Sequence, residues 1–206
     1  MDTILFFKAA LIGLSVAAPV GPIGLLCIQR TLAQGRRVGF VSGLGAAAAD
    51  ACYGAVGAFG VSALTAWFVA LRSPLALAGG LFLGWMGWRM LRSRGGGGEA
   101  AVARPARSGW AAFASVLALT LANPMTIVSF TAIFASLGAR GAGAASPGLM
   151  VAGVFVGSAA WWLGLSMGVA AVRTRIDARG MRRVDQFAGV VLLAFALYQL
   201  RRWWAG

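Results

Sequence analysis

The sequence predicts an all-α membrane protein: six transmembrane helices forming two inverted three-helix repeats, the first helix of each repeat broken at proline. Three observations predict it. Of 206 residues, 60% are hydrophobic and 11% charged, with a mean hydropathy of +0.82, whereas a soluble domain carries about 25% charged residues. Apolar runs near the spanning length of about 20 residues follow one another along nearly the whole chain. Prolines interrupt two of these runs in matching places, at Pro19-Val20-Gly21-Pro22 and at Asn123-Pro124.

The spans are expected, in order, at 4–28, 38–64 and 75–91, the last with a start before Pro74 left open. A linker over 92–108 follows, with Gly95 to Gly98, Glu99, Arg104 and Pro105, and has the composition of a flexible connector. The remaining spans are expected at 110–137, 148–172 and 184–204. The whole is one transmembrane domain, 1–206, with repeat 1 over 1–91, a cytoplasmic linker over 92–108 and repeat 2 over 109–206. Three spans per repeat is an odd number, so tandem repeats enter the bilayer in opposite senses. Paired interrupted helices are then the sequence pointer to a transport site. At the N-terminus, Val16-Ala17-Ala18 has the look of a cleavage site. No basic region precedes it, and the apolar run continues to Ile28, so a retained first helix is expected.

Orientation follows from the basic residues. Lys8, Arg72, Arg140, Arg201 and Arg202 fall to one face, and all the others, from Arg30 to Arg183, fall to the opposite one. Positive loops stay in the cytoplasm, which places both termini outside. The same distribution excludes nucleic acid as the reason for a net charge of +13, because the arginines punctuate apolar runs and no nucleic-acid motif accompanies them. Lys8, one turn inside the first helix, is expected to snorkel to the interface. Cys27 and Cys52 lie in apolar segments and there is no His. Metal binding is therefore not expected, and both thiols read as buried small fillers. No cofactor motif occurs. The Gly-x-x-x-Gly spacings Gly39/Gly43, Gly80/Gly84, Gly153/Gly157 and Gly164/Gly168 read as close helix contacts.

Two features carry function. Asn123 suits a helix N-cap and Pro124 a first helical position, and Gly21-Pro22 can do the same work. Each break then starts a half-helix whose free N–H groups and positive dipole end lie inside the membrane, fit to receive a carboxylate. The plain alternative is a pair of proline kinks satisfied by neighbours. Asp50 is expected to be the only acid deep in any span, with Asp177 in a loop and Asp185 at a helix start. A carboxylate at that depth is costly unless paired or protonated, which makes it a proton site or the counter-ion of a cationic substrate group. Its structural alternative is a hydrogen bond to Asn123, Tyr53 or a serine of the bundle. Of the mid-span pair Trp161-Trp162, one ring is expected to line a cavity and the other to face lipid or a neighbour, whereas Trp203-Trp204 read as interfacial belt. With no His and no nucleophile–base pair, an enzyme is not expected.

These segments resemble the LysE family of amino-acid exporters along essentially the full length. APVGPIGLLCIQRTLAQGRRVGF resembles the family's Pro-Gly-Pro region and its following basic turn, GLGAAAADACYGAVGAFG its glycine-rich second span, and GGLFLGWMGWRMLR its third. LTLANPMTIVSFTAIFASLG resembles the Asn-Pro segment and GVFVGSAAWWLGLSMGV the fifth span. Val20 departs from the Gly that many members carry. The resemblance implies a carrier of the bacterial inner membrane that exports basic or neutral amino acids coupled to an ion gradient, H⁺ or Na⁺. It also implies that Pro19, Gly21, Pro22, Asp50, Asn123 and Pro124 lie at the transport site. Alternating access about that site is the expected mechanism. The partners are then a small-molecule substrate, the lipid and the coupling ion, with oligomeric state, a homo-oligomer included, left open. The other function class is a non-transporting membrane scaffold or assembly module that binds partners through the Gly-x-x-x-Gly faces.

Overall fold

The computed structural model describes residues 2–19, 21–58, 62–92, 108–123, 126–127, 129–130, 147–176 and 178–205. Val20, Pro124 and the linker 93–107 lie outside them, as does the end of the expected fourth span. The described residues form seven helices and no strand: α1 (Asp2–Ala17), α2 (Pro22–Gln34), α3 (Arg36–Ala58), α4 (Ser62–Arg92), α5 (Gly109–Leu121), α6 (Pro147–Arg173) and α7 (Ala178–Ala205).

Local chemistry sets the boundaries. α2 begins on Pro22 at its first position, where the missing N–H costs nothing. It ends on Gly35, whose φ of 95° is left-handed and suits glycine, and the Gly35 N–H closes on Thr31 O at 3.0 Å. α3 starts at the next residue, so α2 and α3 form an antiparallel hairpin through one glycine. The α5 start is capped by Ser108, whose hydroxyl accepts from the Ala111 N–H at 3.3 Å. α4 runs unbroken through Pro74, which settles the third span's start in favour of one before that proline.

Helix directions can be read from the contacts. α3 runs antiparallel to α6, pairing Gly43 with Trp162, Asp50 with Ser158 and Gly54 with Val154. α4 runs antiparallel to α7, pairing Gly80 with Leu200, Gly84 with Ala196 and Gly87 with Gly189. α3 and α5 run parallel, with Val41 beside Gly109, Gly45 beside Phe113 and Tyr53 beside Leu121. One buried cluster joins Leu26, Cys27, Met86, Val116, Trp162 and Leu192; a second joins Ala9, Tyr53, Phe130, Met150 and Val154. Large apolar side chains, among them Phe7, Leu11, Trp85, Trp88, Val190 and Leu197, cover the outside of the bundle, as lipid as solvent requires.

Pro147–Arg173 and Arg179–Arg201 are each long and apolar enough to cross a bilayer. Thr3–Ala17 with Pro22–Gln34, bent by 82° at the break, makes a third such unit by length and composition. Three of the four small-residue spacings sit at helix contacts within the chain. A Cβ on Gly157 would run into the Ala10 backbone, and one on Gly153 would come within 2.6 Å of Phe6 O. Gly164 and Gly168 depart from the expectation, since a Cβ at either meets nothing within 4 Å. Gly157→Val is expected to part α1 from α6 at a cost of about 3 kcal/mol. Thermal melting of the purified protein in detergent measures this, and an unaltered melt would remove the close approach as a source of stability.

Candidate functional site

The two breaks come together around one cavity. At the first, the chain restarts with Leu25 N–H bonding Gly21 O at 3.0 Å; at the second, Ile127 N–H bonds Asn123 O at 3.3 Å. Gly21 and Asn123 thus occupy equivalent places, each accepting the first bond of a new helical turn. The N–H groups of Ile23 and Gly24 fall in the opening turn of α2, where no helix carbonyl stands behind them. Both residues line a cavity of about 70 Å³ together with Pro19, Gly21, Pro22 and Asn123. Asp50 of α3, Thr120, Thr126 and Trp162 complete its polar lining, among Val16, Ala17 and Ala46. A wider cleft of about 610 Å³ shares Pro19, Gly21, Pro22, Asn123 and Thr126 with it, and extends to Ser129, Ala194, Phe195 and Tyr198. Five of the six expected site residues therefore border one space, and the sixth, Pro124, lies outside the described residues.

Asp50 is 3% exposed and its Oδ2 accepts from the Ser158 hydroxyl at 2.7 Å. Among the structural partners expected for it, a serine of the bundle binds it. Tyr53, one turn further along α3, supports the second break. Its hydroxyl donates to Leu121 O at 2.7 Å, taking up a carbonyl at the end of α5, and its ring stacks on Phe130 at 5.6 Å. A proline break frees carbonyls that only a neighbour can satisfy in lipid, and Tyr53 is that neighbour. Of the tryptophan pair, Trp162 is buried against the cavity and Trp161 is partly exposed. Lys8 is exposed.

Three expectations need correction. Arg30, assigned to a loop face, is 2% exposed inside the bundle. Its Nη1 donates to Ser42 Oγ at 2.9 Å and Ala112 O at 3.0 Å, and its Nη2 donates to Ser115 Oγ at 2.9 Å. Arg30 lies just over one turn inside the end of α2, and its guanidinium turns in among the neighbouring helices, where α3 and α5 solvate it. Asp185, read as a helix start, is a second buried acid at 7% exposure, and its Oδ1 accepts from Gln29 Nε2 at 2.9 Å. α7 begins several residues earlier than the apolar run, at Ala178, which draws Asp185 into the bundle. Cys27 is buried as expected, whereas Cys52 is exposed on its face of α3. Gln29 and Arg30, adjacent on α2, thus tie it to α7 on one side and to α3 and α5 on the other. At the end of α2, Arg173 Nε donates to Leu32 O at 2.7 Å, closing that helix end with a cation.

A family model described as LysE type translocator matches residues 14–202. The chain belongs to the LysE type translocator family. It is a helical membrane protein of a translocator family, not an enzyme. An uncharacterized membrane protein of Escherichia coli (strain K12), YahN, is 32% identical over 175 residues, which is 82% of this chain and 77% of that relative. The threonine efflux protein of Salmonella typhi is 26% identical over 202 residues, 94% of this chain and 96% of the relative. The arginine exporter protein ArgO of Pectobacterium carotovorum subsp. carotovorum (strain PC1) is 26% identical over 204 residues, 97% and 98% respectively. No solved structure matches. For a LysE translocator, the cavity between the two helix restarts is the natural candidate site. It joins backbone donors, a buried carboxylate and an apolar cleft wide enough for a small molecule.

Proposed function

We propose that this LysE translocator is a secondary transporter that exports amino acids, or small molecules like them, across the bacterial inner membrane by alternating access, coupled to H⁺ or Na⁺. The observation that carries this is the single cavity bordered by Pro22, Asn123 and Asp50. The substrate carboxylate sits on the helix starts at Gly21-Pro22 and Asn123-Pro124, where N–H groups and positive dipole ends are directed at it. Asp50 either exchanges a proton or meets the substrate ammonium. Amino acids are the cargo that two relatives name, a threonine efflux protein and an arginine exporter protein.

The topology proposed is six spans in two inverted repeats with both termini outside. The alternating directions of α3, α4, α5, α6 and α7 fit it. So does the gathering of Arg36, Arg37, Arg173, Arg175, Arg179, Arg182 and Arg183 at one end of the bundle, the cytoplasmic end on this reading. Moving Arg30 from that face to the interior leaves the sign of the bias unchanged. The wide cleft, with Tyr198 and Phe195 on its wall, then opens outward. The Gln29–Asp185 and Arg30 contacts close the cytoplasmic side, which is the outward-facing half of an alternating cycle.

Inside-out vesicles containing the protein test this with a panel of amino acids, with and without a pH gradient. Uptake of at least one amino acid above protein-free vesicles, raised by the gradient, is the expected result. No uptake across the panel would defeat the transporter and leave a packing scaffold.

A further inference from the structure

We infer that Trp162 is a substrate-binding residue, its indole N–H serving as a side-chain donor to the carboxylate of an α-amino acid held in the cavity beside Asp50. This role rests on the transport function proposed above and adds a ligand group that lies outside the two helix breaks.

Indole nitrogen is a donor only, and a buried tryptophan normally finds an acceptor for it. Trp162 is 4% exposed, lines the cavity, and its Nε1 is buried with no hydrogen-bond partner. An N–H left in that state is penalised, and the ring is not free to turn away and relieve it. Gly43 of α3 leaves a groove into which the root of the side chain fits, so that a Cβ there would fall 2.6 Å from Trp162 Cγ and 3.0 Å from Cδ2. Two helices therefore hold the donor in place without answering it.

The neighbouring groups define what would answer it. Ser158 lies one turn before Trp162 on the same face of α6, and its hydroxyl is committed to Asp50. The Thr120 hydroxyl is committed to Val116 O at 2.9 Å. The described lining includes no Lys or Arg. The lining thus brings together one carboxylate, the Trp162 indole and the opening residues of α2. That is the complement of a zwitterion, with the ammonium toward Asp50 and the carboxylate toward Trp162 and Ile23-Gly24. The adjoining cleft, walled by Val16, Ala194 and Phe195, takes the side chain of the amino acid.

The test is Trp162→Phe, which keeps an aromatic ring and deletes the donor. Transport is measured in proteoliposomes with L-threonine, L-valine and L-arginine, each competed by its own carboxamide, and melting is measured in detergent. The expected result is a KM raised about tenfold, the effect of losing one hydrogen bond to a charged group. The preference for the acid over its amide should shrink, while Vmax and melting temperature hold or rise. A purely structural Trp162 gives a different result, because deleting an unanswered donor leaves transport unchanged. Unchanged KM and unchanged acid-over-amide preference in an actively transporting protein would overturn the inference and leave the transporter intact. A loss of Vmax alone, or a lowered melting temperature, would overturn it as well. If the unmodified protein moves none of the panel, it is the transport function that fails, independently of Trp162.

Discussion

Replacing Asp50 with Asn is expected to abolish gradient-driven export, lowering it about 100-fold or more, while leaving the fold in place. The scale is that of losing roughly 3 kcal/mol at one buried charged group. Asn matches Asp in shape and still offers an oxygen to the Ser158 hydroxyl, which lies 2.7 Å from Asp50. What it cannot do is carry the negative charge, or gain and lose a proton. The way activity fails discriminates between the two roles of the carboxylate. If Asp50 exchanges the coupling proton, the variant keeps exchange of substrate down its gradient and loses its response to pH. If Asp50 is counter-ion to the substrate ammonium, exchange is lost too. Uptake into inside-out vesicles, compared with counterflow at equal pH on both sides, reads both. A variant that concentrates substrate with an unaltered pH response would remove Asp50 from either role.

Replacing Arg30 with Ala is expected to destabilise the bundle by about 3 kcal/mol. The guanidinium bridges three helices, from α2 to Ser42 on α3 and to Ala112 O and Ser115 on α5. Truncation removes those bonds together and empties the volume the side chain fills. Arg30→Lys should fall between, because a single ammonium cannot reproduce a fork that reaches partners on two helices at once. Melting in detergent orders the three proteins. If Arg30→Ala melted like the unmodified protein, the buried seam would contribute nothing to stability. Arg30 Nε and Gln29 Oε1 have no hydrogen-bond partner. The seam is thus incompletely satisfied even as it stands, which suits a contact that opens and closes in the alternating-access cycle proposed above.

Much of this was legible because lipid makes it local. A chain that must satisfy its own backbone in a bilayer has to be helical, so apolar runs report the helices, although proline alone does not report where they stop, since Pro74 lies inside α4. The breaks near Gly21-Pro22 and Asn123 agree with the missing N–H and fixed φ of proline, joined in each case to a preceding residue suited to a helix start. Asp50 was legible for the same reason, since a carboxylate far from either end of an apolar run has no water to reach.

Position along the chain does not report which way a side chain near a helix end faces. Arg30 and Asp185 both lie near clusters of arginine at the end of an apolar run, where the composition alone reads as interface. Only the neighbouring helices turn Arg30 toward Ser42 and Ser115, and Asp185 toward Gln29. The sequence expected one ring of Trp161-Trp162 to line a cavity but not which one, and did not point Tyr53 at Leu121 O, because those choices are made by Gly43, more than a hundred positions from Trp162, and by a carbonyl on another helix. The sequence by itself determined the helices, the two interruptions and a deep acid, all of which follow from the cost of unsatisfied groups in hydrocarbon. Tertiary structure alone decided that those features share one cavity, which polar side chains tie α2 to its neighbours, and that an indole donor beside the cavity goes unanswered. Such pairings depend on how helices cross, which no single run of residues encodes.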